Sequence, residues 1–189
     1  MTKDEELLQA FAAHRYTLRP FPPYRFLPGR HPHPTASPQG HSYASAREAA
    51  PALEMPTAEN WEASEEYLYG CDLYNHGYWW EAHEAWEALW HLPEKGSVAK
   101  HFLQGLIQVS ARHLQLRLGH LPGIERLRDS SRAHFDEALA HLDGTRFMGI
   151  CIVSFLADVD RYYEAVLSDV RRPPRHDPST YPYVLPARS

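Results

Sequence analysis

Apolar residues recur at helical spacings of three and four positions throughout the middle of the chain, from about residue 59 to residue 170. This part of the sequence shows no convincing alternation of apolar and polar residues of the kind that half-buried strands show. The pattern predicts five core helices, with approximate bounds of 60–76, 78–91, 97–118, 122–142 and 145–170. The fifth holds the most continuous apolar run, FMGICIVSFLADV, and is predicted to be the most buried.

Local residues indicate where these helices begin and end. Gly77 and Gly119 follow the first and third helices, as left-handed C-terminal capping residues do. Ser97 is a good N-cap, and Pro122 suits the first turn of the fourth helix. Because the turns after Gly77 and Gly119 are short, neighbouring helices should run antiparallel. The sequence therefore predicts an all-α, single-domain bundle of about five core helices in antiparallel hairpins.

Prolines separate this bundle from its flanking segments. Nine of the sixteen prolines lie between Pro20 and Pro56, and five lie after Arg172. A further acidic, amphipathic helix is predicted over residues 3–16, followed by a Pro- and His-rich segment, residues 17–58, that we refer to as the strap. The expected organisation is therefore 1–58 for helix and strap, 59–170 for the bundle, and 171–189 for a Pro-rich tail.

Composition narrows the class of protein. A chain of 189 residues that is 43% hydrophobic can bury one good core. The net charge of −5 argues against a general nucleic-acid binder, and no apolar stretch approaches the roughly 20 residues of a membrane span. The first residues do not resemble a signal peptide. Cys71 and Cys151 have no paired metal-type spacing, so small core residues in a reduced, cytoplasmic protein are the simplest interpretation.

The second helix concentrates the candidate chemistry, in the segment YNHGYWWEAHEAWEALW. Its aromatic stripe comprises Trp79, His83, Trp86 and Trp90, and the adjoining stripe comprises Trp80, Glu84, Glu87 and His91. His83 and Glu87 stand one turn apart, a spacing that suits either a shared metal ion or a structural ion pair. Glu84 follows His83 directly, and Glu81 lies one turn before Glu84. An open metal site needs two or three such ligands plus donors from a facing helix.

The third helix carries polar residues on an otherwise apolar surface. Gln104, Gln108 and Gln115 fall on one stripe, which is either a solvated face or the polar lining of an internal pocket. Gly105 lies in mid-helix, where glycine loses about 1 kcal/mol against alanine unless another group must approach closely. His113 is expected to be a hydrogen-bonded core histidine and not a ligand.

Three blocks in this order, LYNHGYWWEAHEAWEALW, FLQGLIQ and RLGHLPG, resemble the uncharacterised family called domain of unknown function 309. The resemblance covers about residues 67–142 and implies an all-helical fold, with no established activity to carry over. The strap sequence PYRFLPGRHPHPTASPQGHSY is similar to a segment of longer members, which implies that it crosses the bundle and brings His33 and His41 to one face. Gln115 stands where many relatives have a histidine. The pattern from Gly77 to Pro93 also resembles the turn and second helix of a tetratricopeptide repeat.

Three hypotheses follow, and the sequence leaves the question of enzymatic activity open. In the first, a pocket between the second and third helices binds a small ligand or a divalent metal such as Zn, Mn or Fe, and hydrolysis is the simplest chemistry. Its metal ligands would be His83, Glu84 and Glu87. Other lining groups would be Glu81, Gln104, Gln108, Gln115, His33 and His41, with an aromatic wall of Trp79, Trp86 and Trp90.

In the second hypothesis the helical hairpins bind a protein partner or a second copy of the chain, and the tryptophans act as anchors. The third hypothesis is purely structural, with His83 held in the core by Glu87.

Overall fold

The computed structural model describes residues 14–45, 52–168 and 177–187. It contains α1 (Glu65–Asn75), α2 (Trp79–Trp90), α3 (Val98–Leu118), α4 (Leu121–Ala140) and α5 (Ile152–Leu167). A short 3₁₀ turn, Trp61–Ala63, precedes α1, and a two-stranded hairpin of β1 (Arg146–Phe147) and β2 (Ile150–Cys151) precedes α5. The all-α prediction is confirmed. Residues 3–13 of the predicted N-terminal helix lie outside the described residues, and residues 14–16 are not helical.

The second, third and fourth helices follow their predicted bounds because strong local signals set their ends. The Ser97 hydroxyl accepts a hydrogen bond from the backbone N–H of Lys100 at 3.2 Å, which caps α3. Gly119 ends the same helix with a φ of 71°, in the left-handed region where only glycine is unstrained. Pro122 lies in the first turn of α4.

The first predicted helix, 60–76, was wrong in its first turn. Ser64 adopts an extended conformation and accepts a hydrogen bond from the backbone N–H of Tyr67 at 3.3 Å. This cap starts a new helix at Glu65 and separates it from the 3₁₀ turn. The prediction treated Ser64 as an ordinary helical residue and missed its capping role.

The fifth predicted helix, 145–170, was wrong over its first seven residues, where the chain forms the β1–β2 hairpin. Met148 and Gly149 have φ values of 45° and 79° and make the two-residue turn that such a hairpin requires. The buried Tyr67 hydroxyl donates to the Met148 carbonyl at 2.9 Å and fixes the turn against α1. The apolar run could not distinguish these alternatives, because short buried strands and buried helices look alike. Residues 169–170 lie outside the described residues.

The helices pack in chain order, α1 on α2, α2 on α3 and α3 on α4, around one aromatic core. His113 is fully buried at its centre, with Nε2 2.9 Å from the Tyr74 hydroxyl and Nδ1 3.1 Å from the Tyr163 hydroxyl. Both ring nitrogens are therefore satisfied, and the interpretation of His113 as a core histidine is confirmed. No helix among the described residues has both the length and the apolar character needed to cross a membrane.

Two segments distant in sequence are tied to α1 by buried polar side chains. The fully buried Asp72 accepts the backbone N–H groups of Tyr16 and Thr17, at 2.7 and 2.9 Å, and the Thr17 hydroxyl at 2.7 Å. The Asn75 side chain donates to the carbonyl of Val184 and accepts from its N–H, both at 2.7 Å. The described part of the strap therefore contacts the bundle, and so does tail segment 177–187.

The two cysteines, both free thiols, occupy opposite environments. Burial raises the pKa of Cys71, whereas the pKa of Cys151 is lowered to about 7, mainly by the hydrogen bond from the Ser154 hydroxyl. Cys151 is partly exposed, which corrects its interpretation as a core residue.

We expect Cys151 to react with iodoacetamide at pH 7, because a pKa of about 7 gives a much larger thiolate fraction there than the pKa of about 8.5 of an ordinary thiol. Its alkylation rate should fall as the pH drops below 7, while Cys71 stays unmodified in the folded protein. Mass spectrometry of the labelled peptides measures both rates. The variant Ser154→Ala should slow labelling of Cys151 at pH 7, and an unchanged rate would contradict the assigned cause.

Candidate metal site and adjoining cavity

One face of α2 carries a cluster of three potential metal ligands, His83, Glu84 and Glu87. One ligand atom from each side chain lies within 4.8 Å of the others. Among the described residues, no other group of three or more His, Cys, Asp or Glu side chains brings its ligand atoms this close together. His83 Nε2 is 3.6 Å from a Glu87 carboxylate oxygen, and the two side chains are 32% and 42% exposed. Because Glu84 and Glu87 are three positions apart, the helix brings both carboxylates to one side of the imidazole.

The electrostatics of the cluster favour an additional positive charge. Partial burial, then repulsion from Glu87 and Glu81, raises the pKa of Glu84 to about 7. Burial lowers the pKa of His83, and the adjacent Glu87 carboxylate opposes that change. The group thus holds carboxylates that repel each other beside an imidazole that resists protonation. A cation bound among them would reduce the repulsion between the carboxylates, and the neutral imidazole is the form that coordinates a metal.

Glu81 lies one turn before this cluster and is held by the strap. One carboxylate oxygen, Oε1, accepts the backbone N–H of Phe26 at 2.8 Å and lies 3.2 Å from His41 Nε2. The Glu81 and His41 side chains are almost completely buried at this contact. The strap therefore brings His41, but not His33, to the carboxylates of α2.

A cavity of about 190 Å³ opens between the strap, α1 and α2. Its lining includes Trp80, Glu81 and Glu84 from α2, together with His41 and Ser42 from the strap. Glu84 belongs both to this lining and to the ligand cluster, so the two features adjoin. No residue of α3 lines this cavity, which differs from the predicted position between α2 and α3.

The other predicted lining residues lie apart from this cavity. Gln104 and Gln108 are partly buried on α3, and the Oε1 atom of Gln108 has no hydrogen-bond partner among the described groups. The Gln115 amide oxygen accepts a hydrogen bond from His120 Nδ1 at 2.8 Å, at the turn into α4. The exposed His33 ring packs edge-on against Trp80, with ring centroids 5.4 Å apart.

The proposed aromatic wall does not line the cavity either. Trp79 and Trp86 are buried in the core, where their indole N–H groups donate to the Tyr181 hydroxyl at 2.7 Å and to the Tyr67 carbonyl at 3.3 Å. Trp90 is partly buried beneath the Lys100 ammonium group, 3.7 Å from the ring centroid. The tryptophan that does line the cavity is Trp80, which the sequence placed on the same stripe as Glu84. The position of Trp80 and Glu84 on one stripe was the sequence feature that could have identified Trp80 as a lining residue.

Residues that the sequence reasoning missed hold the strap over the cavity. No local motif identifies Asp72, because the groups that donate to it belong to Tyr16 and Thr17, 56 and 55 positions away in the sequence. Arg19 and Glu66, which also line the cavity, form an ion pair at 2.7 Å. An acidic residue inside an apolar helix such as α1 is the one feature that could have drawn attention to Asp72.

The site thus lies on one helix of a small helical bundle, and the strap partly covers that helix. Residues 67–127 match the model of the family described as Domain of unknown function (DUF309). This match confirms the family resemblance over α1, α2, α3 and the start of α4, including His83, Glu84 and Glu87. No curated protein and no solved structure matches the chain significantly. The tetratricopeptide-like hairpin stays a prediction.

Proposed function

We propose that this protein binds a divalent metal ion through His83, Glu84 and Glu87. The observation that carries the proposal is the convergence of one imidazole and two carboxylates, with ligand atoms within 4.8 Å of one another on a partly exposed helix face. Metal–ligand distances of about 2.0–2.2 Å require these side chains to close in by a modest rotation. Long glutamate side chains on one helix can make that adjustment without moving the backbone.

The donor set narrows the choice of metal. Nitrogen and carboxylate oxygen ligands without a thiolate suit Zn, Mn or Fe, and do not suit metals that prefer sulfur. Three protein ligands leave at least one coordination position open, as in catalytic zinc sites. A structural site would instead be closed by a fourth side chain.

An open position next to a cavity supports hydrolysis as the chemistry. A divalent metal lowers the pKa of bound water to about 7 and polarises a carbonyl or phosphoryl oxygen. The cavity beside Glu84 would hold the substrate next to that position, and Glu81 lines the same cavity. We therefore propose a metal-dependent hydrolase, with the metal site as its first testable part.

We expect purified, untagged protein to contain about one equivalent of metal and the variant His83→Ala to contain almost none, because only two carboxylates then remain. Elemental mass spectrometry measures the metal content, and titration of Zn²⁺ or Mn²⁺ into chelator-treated protein measures the affinity. Loss of one of three ligands should weaken binding by roughly a hundredfold or more.

The chain offers a matched control for this experiment. His141 and Glu137 form the same histidine–glutamate pair one helical turn apart, at 3.8 Å, but no third ligand joins them in the described structure. His141→Ala should therefore leave the metal content unchanged. Equal metal content in wild type and His83→Ala, or equal loss in both histidine variants, would contradict the proposal.

A further inference from the structure

The Glu81 carboxylate has one oxygen satisfied and one unsatisfied. Oε1 accepts the Phe26 N–H and contacts His41, whereas Oε2 is buried and has no hydrogen-bond partner in the described structure. The side chain is only 4% exposed. A buried carboxylate oxygen without a donor costs more free energy than a hydrogen bond gains, so such atoms in native proteins are usually paired with an ordered water, an ion or a ligand group.

The cavity beside Glu81 is large enough for a small organic molecule. Its volume is about 190 Å³. A cavity of roughly 150 Å³ in another protein accommodates benzene, so this one admits a group of that size. The indole of Trp80 forms part of the wall, and Glu84 adds a second carboxylate. The lining is therefore aromatic and acidic.

The cations near the cavity are already engaged. Arg19 is the one lysine or arginine among the lining residues described, and it pairs with Glu66 at 2.7 Å while its guanidinium lies 4.1 Å from the centroid of the Tyr69 ring. Arg25 acts on Glu81 electrostatically, but it does not line the cavity and its Nε–H donates to the His76 carbonyl at 2.8 Å. Glu81 and Glu84 thus place two carboxyl groups on the cavity wall, where His41 Nε2 lies 3.2 Å from Oε1 of Glu81.

We propose that this cavity binds the primary ammonium group of a small amine, with the carboxylates of Glu81 and Glu84 as its acceptors. An ammonium group has three N–H donors, which Glu81 and Glu84 can accept, and its charge is also attracted to the face of an indole such as that of Trp80. A guanidinium group fits less well, because its planar fork pairs with both oxygens of a carboxylate and Oε1 is already engaged by the strap.

This inference does not need the metal ion, although Glu84 belongs to both features. If both hold, the proposed metal-dependent hydrolase acts on amine-bearing substrates. The metal proposal and the amine proposal can be rejected independently. The first is tested by the metal content of His83→Ala, and the second by amine binding to chelator-treated protein.

The test is a calorimetric titration of chelator-treated, full-length protein with three ligands of similar size. Benzylamine carries a primary ammonium group, benzamidine carries a planar amidinium group, and benzyl alcohol is the uncharged analogue. We expect benzylamine to bind with one-to-one stoichiometry, benzamidine more weakly, and benzyl alcohol at least about tenfold more weakly than benzylamine. No binding of benzylamine, or equal binding of benzyl alcohol, would overturn the proposal.

Variants locate the binding to this cavity. Glu81→Gln keeps an oxygen for the Phe26 N–H but replaces the free oxygen with a donor, and it should weaken benzylamine binding by at least about tenfold. Glu84→Gln is the second variant, for the case in which Glu81→Gln does not fold. Glu84 is partly exposed and makes no hydrogen bond in the described structure, and its substitution should also weaken benzylamine binding. Glu137→Gln on α4 is the control and should bind as wild type does. Wild-type affinity in a folded Glu81→Gln or Glu84→Gln protein would also overturn the proposal.

Discussion

Asp72→Ala should lower the free energy of unfolding by about 3 kcal/mol and release the strap from α1. The substitution removes the acceptor for the N–H groups of Tyr16 and Thr17 and for the Thr17 hydroxyl, all of which lie at or near buried positions. Leaving such donors unpaired costs about 1–3 kcal/mol each, although undocking of the strap limits the total. Urea denaturation measures the stability, and the rate of tryptic cleavage after Arg25, which precedes Phe26, reports exposure of the strap.

Glu66→Ala is the matched control for Asp72→Ala. Glu66 is also an acidic residue of α1 that binds the strap, through Arg19, but the paired side chains are 22% and 45% exposed. An exposed ion pair contributes about 0–1 kcal/mol, so this variant should stay close to wild type in both measurements. Similar losses in the two variants would show that charge, and not buried hydrogen bonding, holds the strap.

Gly105→Val should destabilise the protein by about 3 kcal/mol, because α4 leaves no room for a side chain at this position. A Cβ atom on Gly105 would lie 2.7 Å from the Phe135 ring, which is fully buried between the helices and cannot move aside. The gain in helix propensity from replacing glycine is about 1 kcal/mol at most and does not offset this overlap. Thermal or urea unfolding gives the change directly.

A double substitution separates this packing effect from any effect on the helix itself. In the Gly105→Val/Phe135→Leu protein the smaller side chain makes room for the added methyl groups, so the losses of the two single variants should not add. We expect the double variant to be at least 1 kcal/mol more stable than their sum predicts. Strict additivity would mean that Gly105 is required for a reason other than the contact with Phe135.

The sequence predicted the parts of the fold that depend on near neighbours. Ser97 and Gly119 define α3 through contacts within one turn of the helix end, so those bounds were correct. Gly105 also predicted a close approach, but the group that approaches is Phe135 and not a ligand. The helix predicted over residues 146–151 was wrong because a buried hairpin and a buried helix have similar apolar compositions. The deciding feature was positive φ at Met148 and Gly149, which the periodicity does not reveal.

The candidate site was predictable only along α2. Spacing within one helix placed His83 beside Glu87, and the three-residue interval brought Glu84 close to Glu87. The remaining neighbours come from the strap, where His41 and Phe26 reach Glu81 across 40 and 55 positions of sequence. Periodicity carries no information on such distant pairs, so it predicted a pocket between α2 and α3 and did not reveal the cavity between the strap, α1 and α2.

The hydrogen bonds from α1 to the strap and to the tail also suggest the order in which the protein folds. Contacts among α1, α2, α3 and α4 join elements adjacent in the chain, which is the kind of contact that forms quickly. Asp72 meets Thr17 across 55 positions, and Asn75 meets Val184 across 109. Closing loops of that length costs more entropy before any contact forms. The helical hairpins should therefore assemble first, with Asp72 and Asn75 still in contact with water, and the cavity beside Glu81 would be completed only in the last, slower phase of folding.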